Sequence, residues 1–330
     1  MSGSRPSVLL IPDKPGWAID RKARQLERWL GGRYRIRCRF KREVSAGDLL
    51  AADLIVVFYW LEFADMESLA EIFSRRRDRL LIGICGHVDL DGARYQPGLA
   101  TLRTLARGVF ATSRLLVQEF APLLDVPVFY TPNGVDTSFF RPTDGGRRRH
   151  AGSLCVGWAG SLSNAGPEHR GYHDLIVPAV AAAGGARLRT AIREERWRTA
   201  EEMPAFYHSL DAYVCASRSE GTPNPCLEAA ACGVPVVVAR VGVMPELVED
   251  GVNGLFVERR VEDITAKLEL LRDAPDLGAR LAAHMLVSIT AWDWRHRSQA
   301  YAAMFDWALG RGLPADVSPL PLGTRVRPVA

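Results

Sequence analysis

The chain lacks most of the features that would classify it at sight. Its six cysteines (Cys38, Cys85, Cys155, Cys215, Cys226 and Cys232) are scattered, and no two form a C-x-x-C pair. Most lie inside apolar runs, so they read as buried thiols in a reducing compartment, not as a disulfide framework or a metal site. No apolar run approaches the ~20 residues of a membrane-spanning helix; LIVVFYWL at 54–61 is among the longest. The opening MSGSRPSVLLIPD puts only four strongly apolar residues before a proline, too few for a signal-peptide core. A cytoplasmic location is expected, with peripheral contact at the inner face of an anionic membrane left open. There is no RNP-like or zinc-finger pattern, so nucleic acid is not an expected partner.

What remains is an ordinary globular composition. The 330 residues are 48% hydrophobic and 24% charged, enough for two cores of typical domain size. The net charge of +4 is uneven: residues 1–150 hold 24 Lys and Arg against 17 Asp and Glu, and the rest hold 18 against 21. Within the basic half, RYRIRCRF sets Arg33, Arg35, Arg37 and Arg39 against Tyr34, Ile36, Cys38 and Phe40 with period two. Such a strand has one apolar face and one face of arginine. Two readings stand: an edge strand whose charges block aggregation, or a patch for anionic headgroups or an anionic acceptor.

Short apolar runs alternate with segments of helical period: SVLLIP and DRKARQLERWL, DLIVVFYW and ADMESLAEIFSRR, then RLLIGIC, GVFATS and PVFYTPNG. This alternation predicts βαβ units and a parallel sheet. RPTDGGRRRH at 141–150 has Pro, Gly and charge without period, as a linker would. The pattern then restarts with SLCVGWAGS, DLIVPAVAAAG, ARLRTAI, DAYVCAS and PVVVAR. The fold class expected is α/β, two consecutive doubly wound Rossmann-like domains.

The stretch SEGTPNPCLEAAACGVPVVVA at 219–239 carries the chemistry. DAYVCAS predicts a strand ending near Ser217; Asn224 and Pro225 fit an N-cap with proline at the first helical position, and Gly233 fits the helix end. A strand-loop-helix of this kind puts the loop at the carboxyl edge of a parallel sheet, with free N–H groups facing an anion. Glu220 and Glu228 flank that loop. A capping box would put an acid three residues after the cap; Glu228 lies four after Asn224, so capping does not explain it.

Glu220-Gly-Thr-Pro-Asn-Pro-Cys-Leu-Glu228, followed by Ala-Cys-Gly-Val-Pro and then Gly242…Pro245-Glu246…Asp250-Gly251…Asn253-Gly254, resembles the E-x7-E signature of retaining GT-B glycosyltransferases, most like family 4. Asn133-Gly134-Val135-Asp136…Phe140-Arg141-Pro142, VGWAG at 156–160, Arg170-Gly171, Met203-Pro204…Phe206-Tyr207, Asp211 and Trp292-Asp293-Trp294 match the same family in the same order. The resemblance implies an acceptor domain over 1–143, a nucleotide-sugar donor domain over 151–290 and a terminal helix at 291–312 crossing back to the first domain; composition puts the linker at 144–150 and a Pro-rich tail at 313–330.

It also implies roles. Glu220 would be the acid near the donor sugar and Glu228 the acceptor of ribose hydroxyls. Backbone N–H groups of Gly221, Thr222, Pro223 and Asn224 (Pro223 itself has none) would lie along sugar or phosphate oxygens. The diphosphate clamp would involve Gly160, Ser161, Arg170 and Arg193. This chain departs from the family there: Ser161 stands where an arginine is usual, Arg170 where a lysine is, and Arg193 is either a substitute cation or a solvated one. His87 matches a cleft histidine near the donor sugar, with a structural histidine as the plain alternative. Gly16 stands in a loop where the family has a Gly-Gly turn. The fold class commonly works without a divalent metal, and no D-x-D-like acidic pair is read after a strand, so neither metal nor cofactor is expected. The partners implied are a nucleotide-sugar and a glycan or glycolipid acceptor, in a hexosyl-transfer reaction. Open alternatives are a same-fold nucleotide-sugar epimerase or phosphorylase, and a catalytically silent nucleotide-sugar-binding subunit.

Overall fold

Successive strand residues point to opposite faces of a sheet, and in β1 (Ser7–Ile11) both faces are apolar. Val8 and Leu10 enter one core and Leu9 and Ile11 the other, none more than 3% exposed. A strand buried on both sides must sit inside a layered α/β sheet. The computed structural model, which describes residues 5–86, 95–143, 153–163 and 167–312, contains two such sheets. They belong to two compact units, Met1–Asn133 with Trp294–Ala330, and Gly134–Asp293.

In the first unit β1 is joined by β2 (Arg35–Cys38), β3 (Leu54–Val57), β4 (Leu80–Ile84), β5 (Gly108–Ala111) and β6 (Val128–Tyr130), in the spatial order β2-β1-β3-β4-β5-β6, all parallel. β2, the arginine strand, is an edge. Ile36 and Cys38 lean on the core while Arg37 and Arg39 approach Asp48 at 3.8 and 3.7 Å, which favours the aggregation-blocking reading. Helix Ala18–Leu30 buries Ala23, Leu26 and Leu30 on one face. The terminal helix Trp294–Ala308 packs in this unit, where Tyr34 donates to Asp306 Oδ1 at 2.8 Å and to the Ala302 carbonyl at 2.9 Å.

In the second unit β7 (Leu154–Gly160), β8 (Ala186–Ile192), β9 (Ala212–Cys215), β10 (Val236–Val238) and β11 (Leu255–Phe256) run parallel in the order β11-β10-β9-β7-β8. The order reverses between β7 and β9, which makes their carboxyl ends the topological switch point, the place where open α/β sheets bind ligands. Residues 134–143 belong to this unit, so the boundary falls after Asn133 and not after 143. Two contacts explain it: Val135 bridges to Asp293, and Phe140 packs edge-on against Tyr207 with ring centroids 6.1 Å apart. Trp292 lies in this unit's core and Trp294 in that of the first.

Candidate active site

Helix Asn224–Ala231 begins one residue earlier than its sequence suggests. The Cys226 N–H bonds the Pro223 carbonyl at 2.9 Å, making Pro223 the cap, Asn224 the first helical residue and Pro225 the second. Proline tolerates that place because first-turn N–H groups have no intrahelical acceptor. Gly233, with φ +75°, ends the helix as expected. Ala229, Ala230 and Ala231 are buried, so the helix lies close on the sheet.

The loop between β9 and this helix is held from three sides. Glu220 forms an ion pair with Arg170, the two side chains 13% and 22% exposed, and accepts from the Ser217 hydroxyl at 2.9 Å. Burial works against the Arg170 charge, but Glu220, with smaller contributions from Cys215 and Tyr213, outweighs it in sum, so the guanidinium pKa rises. His169 bonds the Ser219 carbonyl at 2.9 Å, and the Arg218 N–H bonds the His169 carbonyl at 2.8 Å. Burial pushes the His169 imidazole below its ordinary pKa. Gly171 follows Arg170 at φ +66°, where a Cβ would stand 2.7 Å from the Ala216 carbonyl oxygen. Gly242 passes on the other side at φ +53°, where a Cβ would stand 2.9 Å from the Gly221 carbonyl carbon. Both positions need glycine for backbone angle and for space.

Glu228 projects from the helix and is 7% exposed; Tyr207 donates its hydroxyl to the carboxylate at 2.6 Å. Gly221, Thr222 and Pro223 are buried and Asn224 is half-buried. Glu220, Glu228 and the 221–224 backbone thus share one loop-helix element at the β9 end, and Arg170 reaches it from the segment after β7.

The β7 end is arranged differently. Gly160 ends the strand and Ser161 begins a turn that Glu194, just past β8, closes. The Glu194 carboxylate accepts from the Ser161 and Ser163 hydroxyls, both at 2.6 Å, and from the Leu162 and Ser163 N–H groups at 3.1 and 3.0 Å. Desolvation raises its pKa, yet these bonds outweigh that and hold the carboxyl well below the ordinary range. Arg193 stacks its guanidinium 3.7 Å from the centroid of Trp197, and its N–H bonds the Gly160 carbonyl at 3.0 Å.

Gly16 lies in the first unit, after β1, with φ +71° and its N–H on Asp20 at 2.7 Å. His87 lies outside the described residues, as do the whole expected linker and the whole Pro-rich tail. Sequence reasoning missed Glu194, Ser163, Ser217 and His169; IREER reads as a solvated charge run, and only three-dimensional proximity gives it a partner. It also passed over Asp89-Leu90-Asp91, a D-x-D triplet after β4 that falls outside the described residues. Among the described residues no group of three or more His, Cys, Asp or Glu could hold a metal ion, and no helix is long and apolar enough to cross a membrane. Asp250 and Asn253 are turn-builders: Asp250 accepts from the Phe256 N–H and Asn253 from the Glu249 N–H, both at 2.8 Å.

Residues 177–273, inside the second unit, match the family described as Glycosyl transferases group 1. Among solved structures, sucrose-phosphate synthase from Thermosynechococcus elongatus aligns with a TM-score of 0.73 at 16% identity, covering 93% of this chain and 100% of that one. Anabaena HepE, solved in complex with UDP-glucose, aligns with a TM-score of 0.70 at 15% identity, covering 92% and 100%. The chain therefore has the GT-B fold, two Rossmann-like units with parallel sheets, and the segment that matches the group 1 model includes the loop-helix element at the β9 end.

Curated relatives match part of the chain. The D-inositol 3-phosphate glycosyltransferase of Saccharomonospora viridis is 29% identical over 237 residues, 70% of this chain and 51% of that protein. The GDP-mannose-dependent alpha-(1-6)-phosphatidylinositol monomannoside mannosyltransferase of Mycolicibacterium smegmatis is 37% identical over 114 residues, 32% of this chain and 30% of that protein. The chain spans about a quarter to a half of the length of the curated relatives it matches, from 23% to 51%.

Proposed function

We propose that the chain is a retaining glycosyltransferase that moves a sugar from a nucleotide-diphosphate sugar to a glycan or glycolipid acceptor. The observation that carries this reading is the pairing of Arg170 with Glu220 beside a rigid loop, with Glu228 fixed by Tyr207 on the following helix. Breaking a sugar–phosphate bond develops positive charge at the anomeric carbon and negative charge on the departing diphosphate. A carboxylate facing the sugar and a cation facing the diphosphate stabilise both charges. Glu220 takes the first role, Arg170 the second, and Glu228 accepts the ribose hydroxyls.

The family match and the names of the relatives support sugar transfer. The phosphatidylinositol mannoside in one of those names supports a lipid-linked acceptor, and the UDP-glucose complex of HepE supports a nucleotide-sugar donor. The clamp uses the Arg170 cation in place of a divalent metal, and the basic first unit receives the acceptor.

The test is nucleotide release from a panel of UDP-, GDP-, ADP- and TDP-sugars, with and without EDTA. Release that survives EDTA and is lost in Glu220→Ala is expected. Saturable binding without release or transfer to any acceptor would instead mark a silent nucleotide-sugar-binding subunit. Unchanged transfer in both Glu220→Ala and Glu228→Ala would overturn the site.

A further inference from the structure

Each of the two anion-binding elements at the switch point already holds a carboxylate of the chain itself. Arg170, beside the β9 end, holds Glu220. The Ser161–Ser163 turn, at the β7 end, holds Glu194 through two hydroxyls and two N–H groups. β7 and β9 are adjacent paired strands, Val156 opposite Ala212 and Gly157 opposite Tyr213, so the two seats lie at neighbouring strand ends of one switch point. Hydroxyls and N–H groups converging on a carboxylate are the same donors that receive a phosphate.

We propose that Glu194 is a built-in competitor for the donor's diphosphate: one phosphate takes over the Ser161–Ser163 turn and Glu194 swings out. The inference rests on the donor-site reading above. It accounts for Ser161. An arginine there would add a cation, whereas a serine supplies a neutral hydroxyl that serves the internal carboxylate in the free chain and a phosphate oxygen in the complex. Glu194 is on the surface, after the last residue of β8, so its side chain can leave without disturbing the core. If Glu194 stayed, its charge would lie beside an anionic ligand and oppose it. Exchange therefore trades one anion for another, keeps the turn's donors satisfied in both states, and weakens binding of any ligand too weakly charged to displace the carboxylate.

The experiment titrates UDP, GDP and inorganic pyrophosphate into the full chain and into Glu194→Ala and Glu194→Gln by calorimetry, and follows the Leu162 and Ser163 amide resonances of the unmutated chain during the same titrations. Exchange predicts at least about tenfold tighter binding by both variants, and movement of both resonances on ligand addition. Equal or weaker binding by folded variants, or static resonances in a chain that binds ligand, overturns the exchange and leaves the donor site standing. Absence of binding in all three proteins overturns the donor-site reading and the exchange together. Should the variants fail to fold, the resonances of the unmutated chain decide.

Discussion

Arg170 and Glu220 lie fifty positions apart in the chain, one before the positive-φ Gly171 and the other in the loop after β9, and they meet as a half-buried ion pair. The Ser217 hydroxyl shares the same Glu220 oxygen at 2.9 Å. The pair sets the loop in place before any ligand arrives, and it puts a cation and an acid side by side at the switch point. Arg170→Ala leaves Glu220 in a mostly buried place without its cation. We expect a stability loss of about 1–3 kcal/mol, read from denaturant unfolding, and at least a tenfold fall in nucleotide release. Arg170→Lys should recover only part of either, because a lysine cannot reproduce the guanidinium's forked geometry.

Tyr207 fixes Glu228 by a hydroxyl bond of 2.6 Å in a buried setting. Tyr207→Phe keeps the ring contacts and removes only that donor. The expected outcome is a destabilisation of about 1–3 kcal/mol, the usual cost of an unsatisfied buried polar group, together with weaker binding of nucleoside diphosphates.

Gly242 is distant in sequence from the acids yet presses on their loop. A side chain there meets both a left-handed backbone angle and the carbonyls of that loop, the nearest being those of Gly221 and Glu220. Gly242→Ala should cost about 1–3 kcal/mol in strain and lower the rate of nucleotide release more than it weakens nucleotide binding at Glu228, since Glu220 moves and Glu228 does not. Parallel kinetics and calorimetry on that variant check the split.

Desolvation pushes the Glu194 carboxyl up, but the Ser161 and Ser163 hydroxyls and the turn's N–H groups outweigh it and hold the group well below its ordinary range. A depressed carboxylate pKa stabilises above the unfolded value, about 4.3, and that contribution fades as pH falls through the lower folded value. The Leu162 and Ser163 amide resonances should therefore stay flat from pH 7 to about 4 and move only in stronger acid. Movement centred near the ordinary carboxylate value in an NMR titration would contradict the bonding described for this turn.

Much of the fold was legible. The alternation of apolar runs with helical segments carries both parallel sheets, and the spacing of Glu220 and Glu228 anticipates one acid in the loop after β9 and one on the helix that follows. The domain boundary was misplaced because Phe140 and Val135 have no local signal; their partners, Tyr207 and Asp293, lie far along the chain. The Asn224 cap was misplaced for a local reason: Pro223 accepts the first helical bond, and proline serves near a helix start whether one position in or two. Ser161 read as a missing cation. Its actual partner, Glu194, sits in a run of charges whose composition is that of a solvated face, and only the pairing of β7 with β8 brings the two together.

The proposed function requires a nucleotide-diphosphate sugar to bind at the carboxyl ends of β7 and β9. Calorimetric titration of the full chain with UDP and GDP tests it most directly. Saturable binding at one site per chain is expected for at least one nucleotide, weakened at least about tenfold, or 1.4 kcal/mol, in both Glu228→Ala and Arg170→Ala. Binding that both variants leave untouched, or no binding by the folded chain, would contradict it.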